Sequence, residues 1–190
     1  MTVSTRIAII AIGDPDRHDD GVPRAVLSCL RERATERPLP PGTLLAACDP
    51  DPARLIRLWE NTELAVVLEP AHARPSHPGR IYRLELDTAA LWRAGTMRPQ
   101  GLGEVVNVGR ALGRLPGHLV AYAVDGADAS LGKGLSEPVA TTVGQLVTCV
   151  EAEITRHRAA VAKDLADMPG IKDGADGHEG REGPSASRGS

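Results

Sequence analysis

RIAIIAIGDPDRHDDGVPRAVLSCL, residues 6–30, joins an apolar run to a polar loop and then to a helical pattern. The apolar run, Ile7–Ile12, ends at Gly13, and apolar residues recur at helical spacing from Val22 onward. This order predicts a strand buried on both faces, then a loop, then a helix. The loop carries Asp14, Asp16, His18, Asp19 and Asp20. It therefore lies at the carboxyl end of a strand, where α/β sheets usually bind their ligands.

The same alternation of apolar strands and amphipathic helices continues along the chain. Further strands are predicted at residues 43–47, 64–68, 80–86 and 118–124, and further helices at 52–59, 105–112 and 138–158. The first helix is predicted over 22–30, a loop over 71–79 and one helical turn over 88–92. The pattern predicts the α/β class: a single three-layer domain with a mostly parallel sheet of about five strands and helices on both faces.

Composition sets the limits of the domain. We expect the folded domain to span residues 1–162. From residue 163 glycine is frequent and large apolar residues are few, so 163–190 is predicted to be a disordered tail. The formal net charge of −3 gives no general attraction to nucleic acid.

Cysteine spacing and the N-terminal segment indicate the compartment. Cys29, Cys48 and Cys149 are far apart and form no CxxC pair, which is typical of buried thiols in a reducing compartment. The apolar run before Gly13 is too short for a signal peptide or a membrane span. We therefore expect a cytoplasmic protein that does not contact membranes.

Carboxylates follow two of the predicted strands. The acidic loop carries Asp14, Asp16, Asp19 and Asp20 after the first strand, and Glu69 follows the strand at 64–68. If these strands are neighbours, the carboxylates converge on one crevice. Converging oxygen ligands can hold a divalent ion, and imidazoles added to them favour Ni, Zn or Fe. The same two loops carry His18, His72 and His77.

Simpler interpretations of these residues remain open. Asp20 could cap the first helix, Glu69 could be a solvated residue after a strand, and the loop histidines could be exposed polar residues. The nucleotide-binding GxGxxG and P-loop motifs and the catalytic GxSxG and HExxH motifs are absent. A phospho-receiver domain would need a phosphorylatable Asp where Glu69 stands.

Four segments resemble the nickel–iron hydrogenase maturation proteases, in the order of that family. IAIIAIGDPDRHDDGVPRAVL (7–27) resembles its strand, Gly-Asn loop and Asp-Asp/Glu-Gly helix start. LAVVLEPAHARPSHPGRIYRLEL (64–86) resembles its strand ending in Asp-Ala and the following Pro-Gly turn. GRALGRLPGHLVAYAVDGAD (109–128) and GLSEPVATTVGQLVTCVEAEI (134–154) resemble its Leu-Pro turn, last strand and terminal helix.

The resemblance implies an endopeptidase that removes the C-terminal extension of a nickel–iron hydrogenase large-subunit precursor after nickel insertion. The nickel would belong to the substrate, and no cofactor would be permanently bound. By position, Asp20 and Glu69 fall where the family's carboxylates face the nickel. Asp14 and Asp19 fall in the loop that meets the substrate.

Departures from the family pattern leave a second function open. The family's nickel-facing histidine falls near Arg98, whose guanidinium cannot coordinate a cation but could pair with the carboxylates of the site. His72, three residues after Glu69, is then a candidate replacement ligand. Glu69 occupies the position where the family has Asp. Residues 49–52, Asp-Pro-Asp-Pro, occupy the position of the family's Gly-Gly-Thr turn. The alternative is a non-proteolytic paralogue that binds the precursor as a hydrogenase assembly or accessory protein.

Overall fold

The computed structural model describes residues 6–49, 51–85 and 102–167. Arg98, the helical turn predicted at 88–92 and residues 168–190 of the predicted tail lie outside the described residues. The described residues form five strands and five α-helices, with a single 3₁₀ turn at His18–Gly21.

One mixed sheet carries the fold. Its strands are β1 (Ile7–Ile12), β2 (Thr43–Cys48), β3 (Leu64–Ala71), β4 (Ile81–Glu85) and β5 (His118–Asp125). They lie in the order β2-β1-β3-β5-β4. The strands β2, β1, β3 and β5 are parallel to one another, and β4 is antiparallel at the edge beside β5. The first and third strands are neighbours, which was the condition for the carboxylates after them to converge, and the edge position predicted for the half-exposed strand is confirmed.

Helices cover both faces of this sheet. They are α1 (Val22–Glu36), α2 (Pro52–Trp59), α3 (Leu102–Ala111), α4 (Glu137–Ala140) and α5 (Val143–Asp167). One core packs α1 and α5 against one face, where Ile7 and Ile9 of β1 point. The other packs α2 and α3 against the opposite face, with Ala8 and Ile10. This arrangement confirms the predicted three-layer domain.

Two helices extend beyond their predicted ends. The apolar positions of α1 stop at Leu30, but the helix continues to Glu36 through exposed residues that are mostly good helix formers. Helix α5 continues to Asp167 through an alanine-rich, exposed stretch. Residues 163–167 are therefore helical and not part of a disordered tail.

The buried face of α3 differs from its prediction. Val105 is buried as expected, whereas Val108 and Leu112 are among the exposed large apolar side chains. The residues of α3 that face the core are Leu102, Val105, Val106 and Gly109.

Strand β3 extends three residues beyond the predicted strand 64–68. Glu69, Pro70 and Ala71 pair with β5, whereas pairing with β1 ends at Leu68. A proline removes a backbone donor, and here this loss falls beyond the last residue paired with β1. Glu69 therefore lies inside a strand between two covered faces and is not the solvated residue after a strand.

Candidate functional site

Three segments meet at the carboxyl edge of the sheet and build the candidate site. They are the acidic loop (residues 13–21) after β1, the His72 segment (residues 72–79) after β3, and the β5–α4 loop (residues 126–136). The strands β1, β3 and β5 are parallel, so their carboxyl ends share one edge of the sheet. The segments that follow these strands therefore lie side by side. This is the edge that the sequence predicts for a ligand site.

The acidic loop is bound along its length to the β5–α4 loop. His18 N donates to Gly132 O at 2.9 Å, and Gly132 N donates to Asp16 O at 2.8 Å. The Arg17 side chain donates to Ala129 O at 2.8 Å. A Cβ at Gly13 would collide with the carbonyl oxygen of Asp20, so this turn requires glycine.

Asp19 is completely buried and holds these two loops together. Its carboxylate accepts hydrogen bonds from the backbone N–H groups of Ala127 (2.8 Å), Asp128 (3.0 Å) and Ser136 (2.7 Å), and from Ser136 Oγ (2.8 Å). Burial alone would raise the pKa of Asp19, but the hydrogen bonds outweigh it and lower the pKa. Asp19, predicted to meet the substrate, is instead an internal anchor.

Asp125 is the corresponding anchor of the His72 segment. It is completely buried at the end of β5, and its carboxylate accepts from Ala73 N at 3.0 Å and from His77 N. The sequence alone does not single out Asp125, because one carboxylate after a strand does not reveal which loop it faces. The Ser/Pro/Gly-rich segment 72–79, whose backbone needs partners, was the available signal.

Asp20 and His72 form a pair between the acidic loop and the His72 segment. His72 Nε2 lies 3.0 Å from Asp20 Oδ1, and both side chains remain partly accessible. Helix α1 has Gly21 as its N-cap residue and no side-chain cap, so Asp20 does not cap the helix. The carboxylate is therefore held by a histidine from the segment that follows the neighbouring strand β3.

Glu69 is buried, as Asp19 and Asp125 are, but its carboxyl group is not satisfied in the same way. Only 3% of the residue is exposed, and Oε1 has no hydrogen-bond partner among the described residues. Burial raises the pKa of Glu69 to about 8, so a large share of the molecules carry a protonated Glu69 at neutral pH. A buried oxygen without a partner fits a ligand that approaches it, such as a cation or a hydrogen-bond donor.

The other acidic residues of the region do not converge. Asp14 accepts from Asp16 N at 2.9 Å and lies 3.8 Å from Arg17, which stabilises the exposed turn itself. Asp16 lies 3.9 Å from Lys133. Asp51 caps α2 by accepting from Ala53 N at 2.9 Å. The convergence predicted for all the carboxylates is thus wrong for Asp14 and Asp16, whereas Asp19 lies beside the site with its carboxylate already satisfied.

Across residues 6–49, 51–85 and 102–167, no group of three His, Cys, Asp or Glu side chains is arranged to hold a metal ion. Asp20, Glu69 and His72 therefore do not form a preassembled three-ligand site. In the same ranges, no helix is long and apolar enough to cross a membrane. All three cysteines are free thiols.

Solved structures with this fold include several hydrogenase maturation endopeptidases. HybD from E. coli is 16% identical with a TM-score of 0.68, and the match covers 80% of this chain and 93% of HybD. HybD from Thermococcus kodakarensis is 19% identical with a TM-score of 0.60, covering 79% and 99%. A hydrogenase 2 maturation peptidase from a Thaumarchaeota archaeon is 19% identical with a TM-score of 0.59, covering 79% and 98%.

No protein-family model and no curated protein sequence matches the chain. At this low sequence identity, the structural matches show that the fold is shared and nothing finer. The resemblance predicted from the four sequence segments is confirmed at that level. The chain has the fold of the nickel–iron hydrogenase maturation endopeptidases.

Proposed function

We propose that the protein is an endopeptidase that removes the C-terminal extension of a nickel–iron hydrogenase large-subunit precursor after nickel has been inserted. One observation carries the proposal. Asp20 lies in the acidic loop that follows β1, Glu69 lies near the carboxyl end of the adjacent parallel strand β3, and Glu69 has a buried carboxyl oxygen without a partner among the described residues. The maturation-endopeptidase fold around this pair supports the same reaction.

In this proposal the nickel of the precursor is recognised as part of the substrate. Asp20 and Glu69 supply oxygen ligands, and His72 supplies the imidazole that the family pattern places near Arg98. The pair Asp20–His72 already brings one oxygen and one ring nitrogen within 3.0 Å of each other. Nickel would take the place of the proton that they share, because a metal-bound imidazole nitrogen and carboxylate are deprotonated.

Glu69 contributes a second property to this site. A carboxyl group with a pKa of about 8 is partly protonated before the substrate arrives, and a nearby dication favours its ionised form. Nickel binding would therefore release a proton from Glu69. An empty precursor, which lacks the dication, would leave Glu69 protonated, and this difference allows the site to distinguish loaded from unloaded precursor.

The direct test is incubation with a nickel-loaded precursor, followed by mass spectrometry of the large subunit. We expect loss of the C-terminal peptide with wild-type protein and no loss with Asp20→Ala or Glu69→Ala. Asp164→Ala, which removes an exposed carboxylate of α5, serves as the matched control and should retain cleavage. Tight binding of the precursor without any cleavage would overturn the endopeptidase and support the assembly-factor alternative.

The role of His72 needs a measurement besides cleavage. We expect wild-type protein to bind nickel-loaded precursor more tightly than nickel-free precursor, as measured by surface plasmon resonance. His72→Gln should reduce this difference, and so should Asp20→Ala. An unchanged preference for the loaded precursor in His72→Gln would show that another residue supplies the ligand.

A further inference from the structure

We propose that Asp125 is a positioning residue: its buried carboxylate fixes the His72 segment and so holds the His72 imidazole against Asp20. Its consequence for catalysis rests on the proposed function, whereas the contact itself does not. The Asp125 carboxylate makes no hydrogen bond to the side chain of Asp20 or His72, and no part of the proposed reaction uses it directly.

The contacts of Asp125 span the His72 segment. Oδ1 accepts from Ala73 N, one residue after His72, at 3.0 Å. Oδ2 accepts from His77 N and lies 3.5 Å from Ser76 Oγ. The Asp125 backbone holds the far end, because its carbonyl accepts from Gly79 N at 2.7 Å. One residue thus determines where the segment begins and where it returns to the sheet.

The residue after Asp125 fixes the position of the ring from the other side. A Cβ added at Gly126 would lie 3.5 Å from His72 Cε1 and 3.1 Å from Asp19 Cβ. The His72 ring therefore lies close to the backbone at Gly126, whose N–H donates to Ala71 O at 2.9 Å. With Ala73 held by Asp125 on one side and Gly126 beside the ring, Nε2 has little freedom to leave Asp20.

A carboxylate suits this role better than an amide does. Both oxygens of Asp125 accept from backbone N–H groups, so an ionised carboxylate satisfies Ala73 and His77 at once. An asparagine offers one accepting oxygen, and its NH₂ group would face a backbone donor. Asp125→Asn should therefore keep one half of the anchor and release the other.

The test is ¹⁵N NMR of the imidazole of His72 at pH 8, with the signals assigned by His72→Gln. Asp20 Oδ1 accepts when ionised, so the wild-type ring should be held as the Nε2–H tautomer. In Asp125→Asn the ring signals should move toward those of Asp20→Ala, in which the partner is removed. The cleavage kcat/KM should fall by about 10- to 100-fold. Unchanged His72 signals in folded Asp125→Asn would overturn the proposal.

A second buried carboxylate provides the control. Glu153, on α5, is 4% exposed and bonded to Arg83 and Tyr122, so Glu153→Gln also disturbs a buried network. Glu153→Gln should leave the His72 signals in place. If it moved them as far as Asp125→Asn does, the movement would reflect a general loosening of the structure and would refute positioning by Asp125.

Two further results remain decisive. If Asp125→Asn does not fold, Ser76→Ala replaces it, since this change removes the Ser76 hydroxyl, which lies 3.5 Å from Asp125 Oδ2 and 3.4 Å from Gly126 O, and leaves the Asp125 carboxylate in place. It should move the His72 signals in the same direction by less, and no movement would contradict the proposal. If wild-type protein fails to cleave, the proposed function fails, but the NMR comparison still tests the positioning.

Discussion

A single carboxyl group, that of Glu69, links the site to the stability of the protein. Its pKa is about 8 in the folded protein because of burial, against 4.5 for an ordinary Glu. Between these values the folded state binds a proton that the unfolded chain releases. The free energy of unfolding therefore falls as pH rises from about 5 to about 8, by at most about 1.4 kcal/mol per pH unit.

Glu69→Gln should remove this pH dependence, since the amide resembles the protonated carboxyl group and does not ionise. We expect the variant to equal wild type near pH 5 and to be more stable by about 1–4 kcal/mol at pH 8. Urea unfolding at four pH values between 5 and 8 measures the difference. Parallel curves for the two proteins would show that Glu69 is ionised in the folded state.

Asp19 carries the opposite dependence. Its folded-state pKa is lowered, so its contribution to stability is present above the ordinary pKa and is lost as pH falls through the folded value. At neutral pH, Asp19→Ala leaves the donors of Ala127, Asp128 and Ser136 without their acceptor. We expect a loss of at least about 2 kcal/mol in the free energy of unfolding.

Amide hydrogen exchange locates this loss. The amides of Ala127, Asp128 and Ser136 should exchange faster in Asp19→Ala, because the β5–α4 loop opens locally before the sheet unfolds. Asp14→Ala, which removes an exposed carboxylate of the acidic loop that also carries Asp19, should change the free energy of unfolding by less than about 0.5 kcal/mol. Equal effects of the two changes would rule out an anchoring role for Asp19.

Among the elements, the edge strand β4 is held by charge as well as by backbone pairing. Arg83 Nε donates to Glu153 Oε1 at 2.6 Å, and Tyr122 OH donates to the same oxygen at 2.7 Å, which joins β4, β5 and α5. The hydrogen bond that Arg83 donates to Glu153 raises the pKa of Arg83, and burial raises the pKa of Tyr122 to about 12.

Removing the shared acceptor should cost more than removing one donor. Glu153→Ala leaves both Arg83 and Tyr122 without it, and we expect a loss of about 2–4 kcal/mol. Arg83→Ala should cost less, since Arg83 is one-third exposed and Tyr122 still donates to Glu153. Chemical denaturation of the single and double variants measures the interaction between Arg83 and Glu153. The double variant should lose less free energy of unfolding than the sum of the two single losses. Additive losses would mean that the pair contributes nothing.

Burial explains which element ends could be predicted from the sequence. Apolar periodicity located β1, α2 and β5 well, because their residues face a core. It missed the ends of α1 and α5, where exposed helix formers continue the helix without a buried face. Apolar periodicity also ended β3 too early, because a proline normally ends a strand by removing a backbone donor. Pro70 is tolerated here because β3 has already stopped pairing with β1 at Leu68.

Across the whole molecule, strand order decides which site contacts a sequence can reveal. The acidic loop is contiguous, so its link to β1 was predictable. The contacts Asp19–Ser136 and Asp125–His77 join segments that are 117 and 48 residues apart. They depend on β3 and β5 lying side by side, which local patterns do not specify. Asp19 therefore resembled a ligand residue, although its role is internal.

The two cores also determine how much of the chain the fold requires. The last buried residue of α5 is Ile154, and residues 163–167 are all exposed. Removing residues 163–190 should therefore take away no buried apolar area from the described domain, although it shortens α5. We expect the thermal midpoint to change by less than about 2 °C, as measured by circular dichroism.

A deeper truncation provides the contrast. Removing residues 150–190 takes away Val150, Glu153 and Ile154, which pack against the sheet or hold Arg83. Loss of two buried aliphatic side chains and a buried ion pair should lower the free energy of unfolding by about 5 kcal/mol or more, which approaches the whole stability of a domain of this size. A large drop in the thermal midpoint with the shorter truncation would instead mean that residues beyond 162 pack on the domain.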